Sequence, residues 1–264
     1  MGKSNHESEV VVESKALYKD DQHGFYWLGL ESTRDRRNIH VNQYLIVHQG
    51  RGIILDAGGV SAFPRVLHHG TQYCDLNEIE MLWYSHQDPD CVGGIGLWMD
   101  LCAADVMIGH YWTEFIGHMG IEDMTRIKPI PDEGMKYSLN DTDYLEFIPA
   151  HFLHSTGNYH LYDSRSKILY SVDVGAIGDM QDHEAGKALK DAKPYLDRMV
   201  PFHQRFMASN SAARAWVNRV SKYDIELMAP QHGPLLSRSA LPDFYDWFSK
   251  LKCGVDLMYA EALK

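Results

Sequence analysis

Four segments of the chain place a histidine or an aspartate just past a run of apolar residues. They are His86-x-Asp88-x-Asp90 after Ile79–Tyr84, His154 in Ala150-His-Phe-Leu-His-Ser-Thr-Gly157, Asp173 in Tyr170-Ser-Val-Asp-Val-Gly175, and His232 in Pro230-Gln-His-Gly-Pro234. A strand end fixes the backbone while the loop beyond it leaves side chains free to converge, an arrangement suited to metal ligands. Along an extended loop, alternating spacing aims His86, Asp88 and Asp90 into one cleft. Three imidazoles and three carboxylates suffice for two divalent or trivalent ions with one carboxylate between them, and Asp173 is the expected bridge. Each piece alone has a plainer reading, because an Asp after a strand forms turns or caps helices and a His–Gly turn is commonly structural. The recurrence of one pattern at four places favours the metal.

The elements that carry these loops read as short strands interleaved with helices. Phe25–Leu30, Gln43–Val47 and Ile53–Asp56 are rich in aromatic and branched residues, and Ile79–Tyr84 is an apolar run with one Glu, as in a buried strand. Ala57-Gly-Gly59 is a turn, after which Ser61 is expected to cap a helix over Ala62–His69. Ile95–Cys102 reads as helix, Val106–Ile108 and Asp141–Pro149 as strands. Tyr159–Tyr162 and Lys167–Ser171 flank Asp163-Ser-Arg-Ser166 as a hairpin. Helix is expected from Asp182 to Val220, strand over Asp224–Ala229, and a closing amphipathic helix over Ala240–Lys264. With no repeat, low-complexity tract or linker, residues 1–264 read as one layered α/β domain.

Composition narrows the partners. Hydrophobic residues make up 45% of the chain, enough for a sizeable core, and 25 Lys and Arg against 36 Asp and Glu leave a net charge of −11. That balance excludes phosphate-backbone binding and disfavours an anionic membrane surface. The four cysteines (Cys74, Cys91, Cys102, Cys253) form no CxxC pair, which excludes a zinc knuckle or a thioredoxin-like motif. The amino-terminal stretch lacks the apolar core of a secretory leader, and no run approaches the about 18 apolar residues of a membrane span. A cytoplasmic protein is expected.

The order of these motifs resembles the metallo-β-lactamase superfamily, and within it the diiron domain of flavodiiron proteins. Asn42-Gln-Tyr-Leu-Ile46 and Ile54-Leu-Asp-Ala-Gly58 look like the family's opening strands. His86-x-Asp88-x-Asp90-Cys91 sits where the superfamily has HxHxDH and flavodiiron proteins HxExDH. Phe152-Leu-His154-Ser-x-Gly157-Asn158, Leu169-Tyr-Ser-x-Asp173 and Ala229-Pro-Gln-His-Gly-Pro234 look like the third histidine, the bridging aspartate and the last histidine. The implied fold is an αββα sandwich of two mixed sheets flanked by helices.

By this resemblance the first iron takes His86, Asp88 and His154, the second takes Asp90 and His232, and Asp173 lies between them. Asp88 stands where zinc hydrolases have a histidine, and a third carboxylate shifts preference toward harder ions such as iron or manganese. Three carboxylates with a hydroxo bridge carry about −4, suited to an Fe(II)/Fe(III) pair, and the expected cofactor is two iron ions with a hydroxo or oxo bridge. Two departures stand out: Asp88 is one methylene shorter than the family's glutamate, and Cys91 replaces a histidine, either as a ligand or as a wall of an open position. Tyr159, Trp27 and His151 are candidates to line a pocket for O2.

Flavodiiron reductases continue into a flavodoxin-like FMN domain, and no FMN-binding loop is found here. Stand-alone relatives resemble oxygen-binding diiron proteins. The leading expectation is therefore a non-haem diiron protein that binds dioxygen as an oxygen sensor in bacterial signalling or chemotaxis, working with a signalling protein and forming a homodimer. The alternatives are an O2 or NO reductase fed by a separate redox partner, and a metal-dependent hydrolase of esters or phosphodiesters.

Overall fold

The computed structural model describes residues 13–31 and 39–259. The stretch tested above for a leader falls largely in residues 1–12, and the end of the expected closing helix falls in 260–264; both lie outside the described residues. The first sheet runs in sequence order through seven strands: β1 (Lys15–Lys19), β2 (His23–Glu31), β3 (Val41–His48), β4 (Arg51–Leu55), β5 (Ile79–Trp83), β6 (Asp105–Gly109) and β7 (Ile127–Ile130). Its first four strands are antiparallel and the rest join in parallel. The second sheet comprises β8 (Met135–Ser138), β9 (Tyr144–Pro149), β10 (Tyr159–Asp163), β11 (Ile168–Val172), β12 (Ala188–Leu189), β13 (Leu227–Pro230) and β14 (Leu235–Ser237), ordered β12-β14-β13-β11-β10-β9-β8. It too is mixed, with β11 parallel to β13.

Period-two alternation along the strands explains the layering. Phe25, Trp27, Tyr44, Ile46, Ile53 and Leu55 enter a core shared with Phe147, Leu161 and Tyr170 of the second sheet. Tyr26, Leu28, Leu45, Val47 and Ile54 turn the other way, under helices α1 (Phe63–Gly70), α2 (Pro89–Val92) and α3 (Ile95–Leu101). The second sheet's outer face packs on α4 (Lys193–Phe206), α5 (Asn210–Val220) and α6 (Leu241–Lys250), with a last turn α7 (Val255–Met258). The result is the expected helix–sheet–sheet–helix sandwich, buried on both faces of both sheets. Trp83 seals the middle, with ring centroids 5.8 Å from Phe147 and 6.0 Å from Tyr170.

Three expectations are corrected. Helix α1 starts at Phe63 with Ala62, not Ser61, at its N-cap, and Pro64 occupies the first turn, where a missing N–H costs nothing. The single helix over 182–220 is instead a 3₁₀ turn (Asp182–Glu184), strand β12, then α4 and α5. Gly186, at φ +63, breaks it first, and Ser209, accepting the Ala212 N–H, starts α5 afresh. The closing helix stops at Lys250, and Gly254 at φ +51 separates it from α7. No described helix is long and apolar enough to cross a membrane.

Candidate metal centre

Each metal-ligand candidate lies in the segment that follows a strand, in a loop or, for Asp90, in the short helix α2 that continues it. The loop after β5 is pinned first by Asp56, which follows β4 with φ +43. Its Oδ1 accepts the Ser85 backbone N–H at 2.8 Å and its Oδ2 accepts the Ser85 hydroxyl at 2.7 Å. The Ser85 proton being used there, His86 Nδ1, 2.8 Å from the same hydroxyl oxygen, must donate to it. Nε2 of His86 thereby faces away from Ser85 toward the other ligand candidates, and is the nitrogen whose lone pair a cation would take once its proton is lost. Asp88 then stands at the N-cap of α2, with Pro89 in its first turn, and Asp90 follows inside it. The loop between β9 and β10 carries His154 and is tied to the first loop by Ser155, whose hydroxyl donates to Gln87 at 2.8 Å. Just after β13 the backbone N–H of Gln231 donates to the Val172 carbonyl at 2.7 Å, and His232 Nδ1 donates to the His40 carbonyl at 2.8 Å. His232 Nε2 is thus also turned inward.

All six residues converge. His86 Nε2 lies 3.5 Å from Asp88 Oδ2 and 3.4 Å from Asp173 Oδ2, and His154 Nε2 lies 3.1 Å and 3.5 Å from the same two oxygens. His232 Nε2 lies 3.3 Å from Asp90 Oδ2 and 3.3 Å from Asp173 Oδ1. Asp173 therefore gives one oxygen to the His86, Asp88, His154 group and the other to the Asp90, His232 group. His86, Asp173 and His232 are buried, whereas the side chains of Asp88, Asp90 and His154 are 32%, 30% and 18% exposed and form the mouth.

The residues fit a pair of iron ions on two grounds. His86 Nε2 and Asp173 Oδ2 are buried without a hydrogen-bond partner, an expensive state that a cation between them relieves. The donor set of neutral imidazoles and hard carboxylates suits iron. The electrostatics agree. Burial alone depresses His86, but the carboxylates of Asp173 and Asp88 override it and hold the imidazole up at about 9. Burial pushes Asp88 up, and the imidazoles of His154 and His86 beside it bring it far below the usual carboxylate range. Asp173 is likewise raised by burial and pulled down to about 2 by His86 and His232. The two carboxylates are held in the form that ligates, and the pull on His86 reports the same negative potential, which a cation would neutralise in place of the imidazole proton.

Cys91 sits behind the ligands. Its buried sulfur lies 3.7 Å from Nδ1 of His86, the nitrogen that faces away from the ligand group, and receives the Gln231 side-chain N–H at 3.2 Å. Burial pushes its thiol well up. The three pocket candidates have their hydrogen bonds elsewhere. Trp27 donates to Asn42 at 2.9 Å within the core between the sheets, and Asn42 in turn donates to the Pro230 and Gly233 carbonyls beside His232. The Tyr159 hydroxyl donates to Pro131 at 3.0 Å, and His151 Nε2 lies 2.8 Å from the Asp132 carbonyl oxygen. The rings that do lie over ligands belong to α4: Phe206 is 5.9 Å from His154 and Phe202 6.0 Å from His232. Sequence reasoning missed these two, and it missed Asp56, Ser85 and Gln231 as supports. Only Asp56 carried a signal, as the aspartate of Ile54-Leu-Asp-Ala-Gly58.

A family model described as the ODP family beta lactamase matches residues 39–233. Among solved structures, the apo state of the chemotaxis sensor ODP from T. denticola is 40% identical, covers 96% of this chain and 99% of its own, and superposes with a TM-score of 0.85. A structure described as a peroxy diiron species of chemotaxis sensor ODP is 38% identical over 95% of this chain and 99% of that one, with a TM-score of 0.83. A curated diflavin flavoprotein A 2 from Synechocystis sp. is 28% identical over 171 residues, 61% of this chain but only 28% of that protein, so the chain matches a small part of its curated relative.

Proposed function

The chain belongs to the ODP family of β-lactamase-fold proteins, and from that premise we propose that it is a non-haem diiron protein that binds dioxygen as a sensor in a signalling system such as chemotaxis. Solved relatives about as similar as 40% identity are described as a chemotaxis sensor, one of them in a diiron state. The observation that carries the reading is the division of Asp173, with Oδ2 3.4 Å from His86 and Oδ1 3.3 Å from His232. In this reading His86, Asp88 and His154 would hold one iron and Asp90 and His232 the other, with Asp173 offering an oxygen to each.

Irons held by these residues would supply the electron density that O2 binding needs. The protein's own residues do the rest. His86, Asp173 and His232 are buried and their neighbours orient them, so they set the geometry; Asp88, Asp90 and His154 leave the mouth accessible to a diatomic molecule. Phe202 and Phe206 place apolar rings beside the ligating histidines, which favours a small uncharged ligand over a hydrated anion.

Elemental analysis followed by anaerobic O2 titration tests this reading. Two irons per chain and a lasting change in visible absorbance on O2 addition are expected. Rapid, continuous O2 or NO consumption with a reduced rubredoxin- or flavodoxin-type donor would replace the sensor with a reductase served by a separate partner. Two zincs and no iron would turn the search to ester or phosphodiester hydrolysis.

A further inference from the structure

We infer that His203, which lies outside the ligand loops, is the positioning residue that sets Asp173 between the two halves of the centre. His203 is on α4, fully buried, with its ring 5.3 Å from both Trp247 and Phe248. Burying an imidazole in such a box is costly unless both nitrogens are bonded. Both are: Nδ1 lies 2.8 Å from the Met199 carbonyl oxygen, and Nε2 lies 3.0 Å from the backbone nitrogen of Gly175. A carbonyl only accepts and an amide N–H only donates, so Nδ1 carries the proton and Nε2 presents its lone pair. The ring is neutral, in one tautomer. Its bond to Met199 stays within the helix; its bond to Gly175 leaves the helix for the turn that carries Asp173.

That turn needs holding. Val172 has φ +51, in the left-handed region that a β-branched residue adopts only when its surroundings impose it, and Gly175 has φ +103. Inside the turn, Val174 N–H donates to Ser171 and Ala176 N–H to Asp173. One end is tied outward by Gln231 N–H to the Val172 carbonyl, at 2.7 Å, and the other by Gly175 N–H to His203. Removing the acceptor leaves a buried N–H unpaired and frees the turn to relax. Either oxygen of Asp173 then swings out of its 3.3–3.5 Å contacts. Because α4 also carries Phe202 and Phe206, the same helix end touches the surroundings of three ligands.

The inference rests on Asp173 as the shared ligand, and Co(II) titration of the metal-free protein, read by visible d–d absorption, tests it without O2. Wild type is expected to take up two ions. His203→Leu, which keeps the volume and removes the acceptor, is expected to lose about tenfold or more in affinity for at least one ion, with an altered spectrum and an unchanged far-ultraviolet circular dichroism. His203→Gln, whose side-chain oxygen reaches the place of Nε2, is expected to restore most of both. Equal affinities and spectra for His203→Leu and wild type would overturn the assignment. If His203→Leu does not fold, ¹⁵N-labelled wild type decides: coupling across the hydrogen bond between Gly175 N and His203 Nε2 is expected, and a ring protonated at Nε2 overturns it. Two Co(II) ions without O2 binding by the iron-loaded protein would sink the sensor and spare His203. Fewer than two ions in wild type would sink both.

Discussion

The Tyr170 hydroxyl, on β11 of the second sheet, lies 2.7 Å from Oδ2 of Asp56, at the end of β4 in the first. This bond crosses the sandwich at the edge where the ligand loops emerge. It joins a relay in which Tyr170 and Ser85 donate to Asp56, and His86 donates to Ser85. Burial raises the Asp56 carboxyl to about 6 despite those donors, so the relay is poised rather than strongly stabilised. Tyr170→Phe removes one donor and is expected to cost about 1–3 kcal/mol in urea unfolding. Asp56→Asn breaks the orientation of His86 and is expected to weaken iron binding about 10–100-fold at a nearly unchanged fold, measured by competition with a chelator.

Metal counts should separate the ligands by pocket. Asp88→Asn and Asp90→Asn each disturb one half of the centre, so each should leave about one iron per chain. Asp173→Asn retains the shape but offers one anionic oxygen fewer to both halves, and should leave one iron or none. Elemental analysis of the three variants beside the wild type reads this directly; two irons in Asp173→Asn would mean that the carboxylate does not bridge.

The six ligand candidates were legible because they fall in four short motifs, each just past a strand, and the apolar runs of those strands are plain in the sequence. Their supports were not. Ser85 and Gln231 act through side-chain hydrogen bonds to neighbours far away in sequence, and His203 through a backbone N–H of another element; ordinary residue types in ordinary positions carry no mark of such contacts. Trp27, Tyr159 and His151 drew attention as aromatics near motifs, but alternation along β2 and β10 turns Trp27 and Tyr159 into the core between the sheets. The helix breaks at Gly186 and Ser209 were written in the sequence, yet the Ala-, Lys- and Leu-rich composition of 182–220 hid them.

Cys91 should behave as a buried support. With its sulfur beside Gln231 and Nδ1 of His86, and its thiol pushed well up by burial, it should resist thiol reagents in the native state. Cys91→Ser is expected to keep two irons and the wild-type visible spectrum. Loss of an iron together with a thiolate-to-iron absorption band would instead make Cys91 a ligand.

Buried neutral histidines should make the metal-free protein acid-sensitive. Burial lowers His160 to about 3 and His203 to about 4, while in the unfolded chain both titrate near 6.5. Their folded values are depressed, so the unfolded state binds more protons below about pH 6.5, and stability present above that pH is lost as pH falls toward 4 and then 3. Two such groups give a slope of about 2.7 kcal/mol per pH unit near pH 5. His160 accepts the Trp216 indole N–H through Nδ1 at 2.9 Å, and His160→Leu should roughly halve that slope in urea titrations.

Metal uptake should release a proton, and the pH at which it stops identifies the source. In the metal-free centre the neighbouring carboxylates outweigh burial and raise His86 to about 9, so its ring is protonated at pH 7. Asp88 and Asp173 are depressed, are already ionised there, and have nothing to release. A cation must displace the proton from His86, and His232, also raised, adds to the release. The apparent affinity should therefore rise about tenfold per pH unit for each proton displaced, and flatten as pH passes about 9. For stability without metal the sign is opposite to that of His160: a raised histidine contributes fully below its unfolded value near 6.5 and loses the contribution as pH rises through 9. Calorimetric titration of Co(II) in buffers of different ionisation enthalpy, repeated from pH 6.5 to 9.5, measures the release. A count of at least about one proton at pH 7 that declines toward zero near pH 9.5 is expected, and no release at pH 7 would show that His86 is already neutral before the ion arrives.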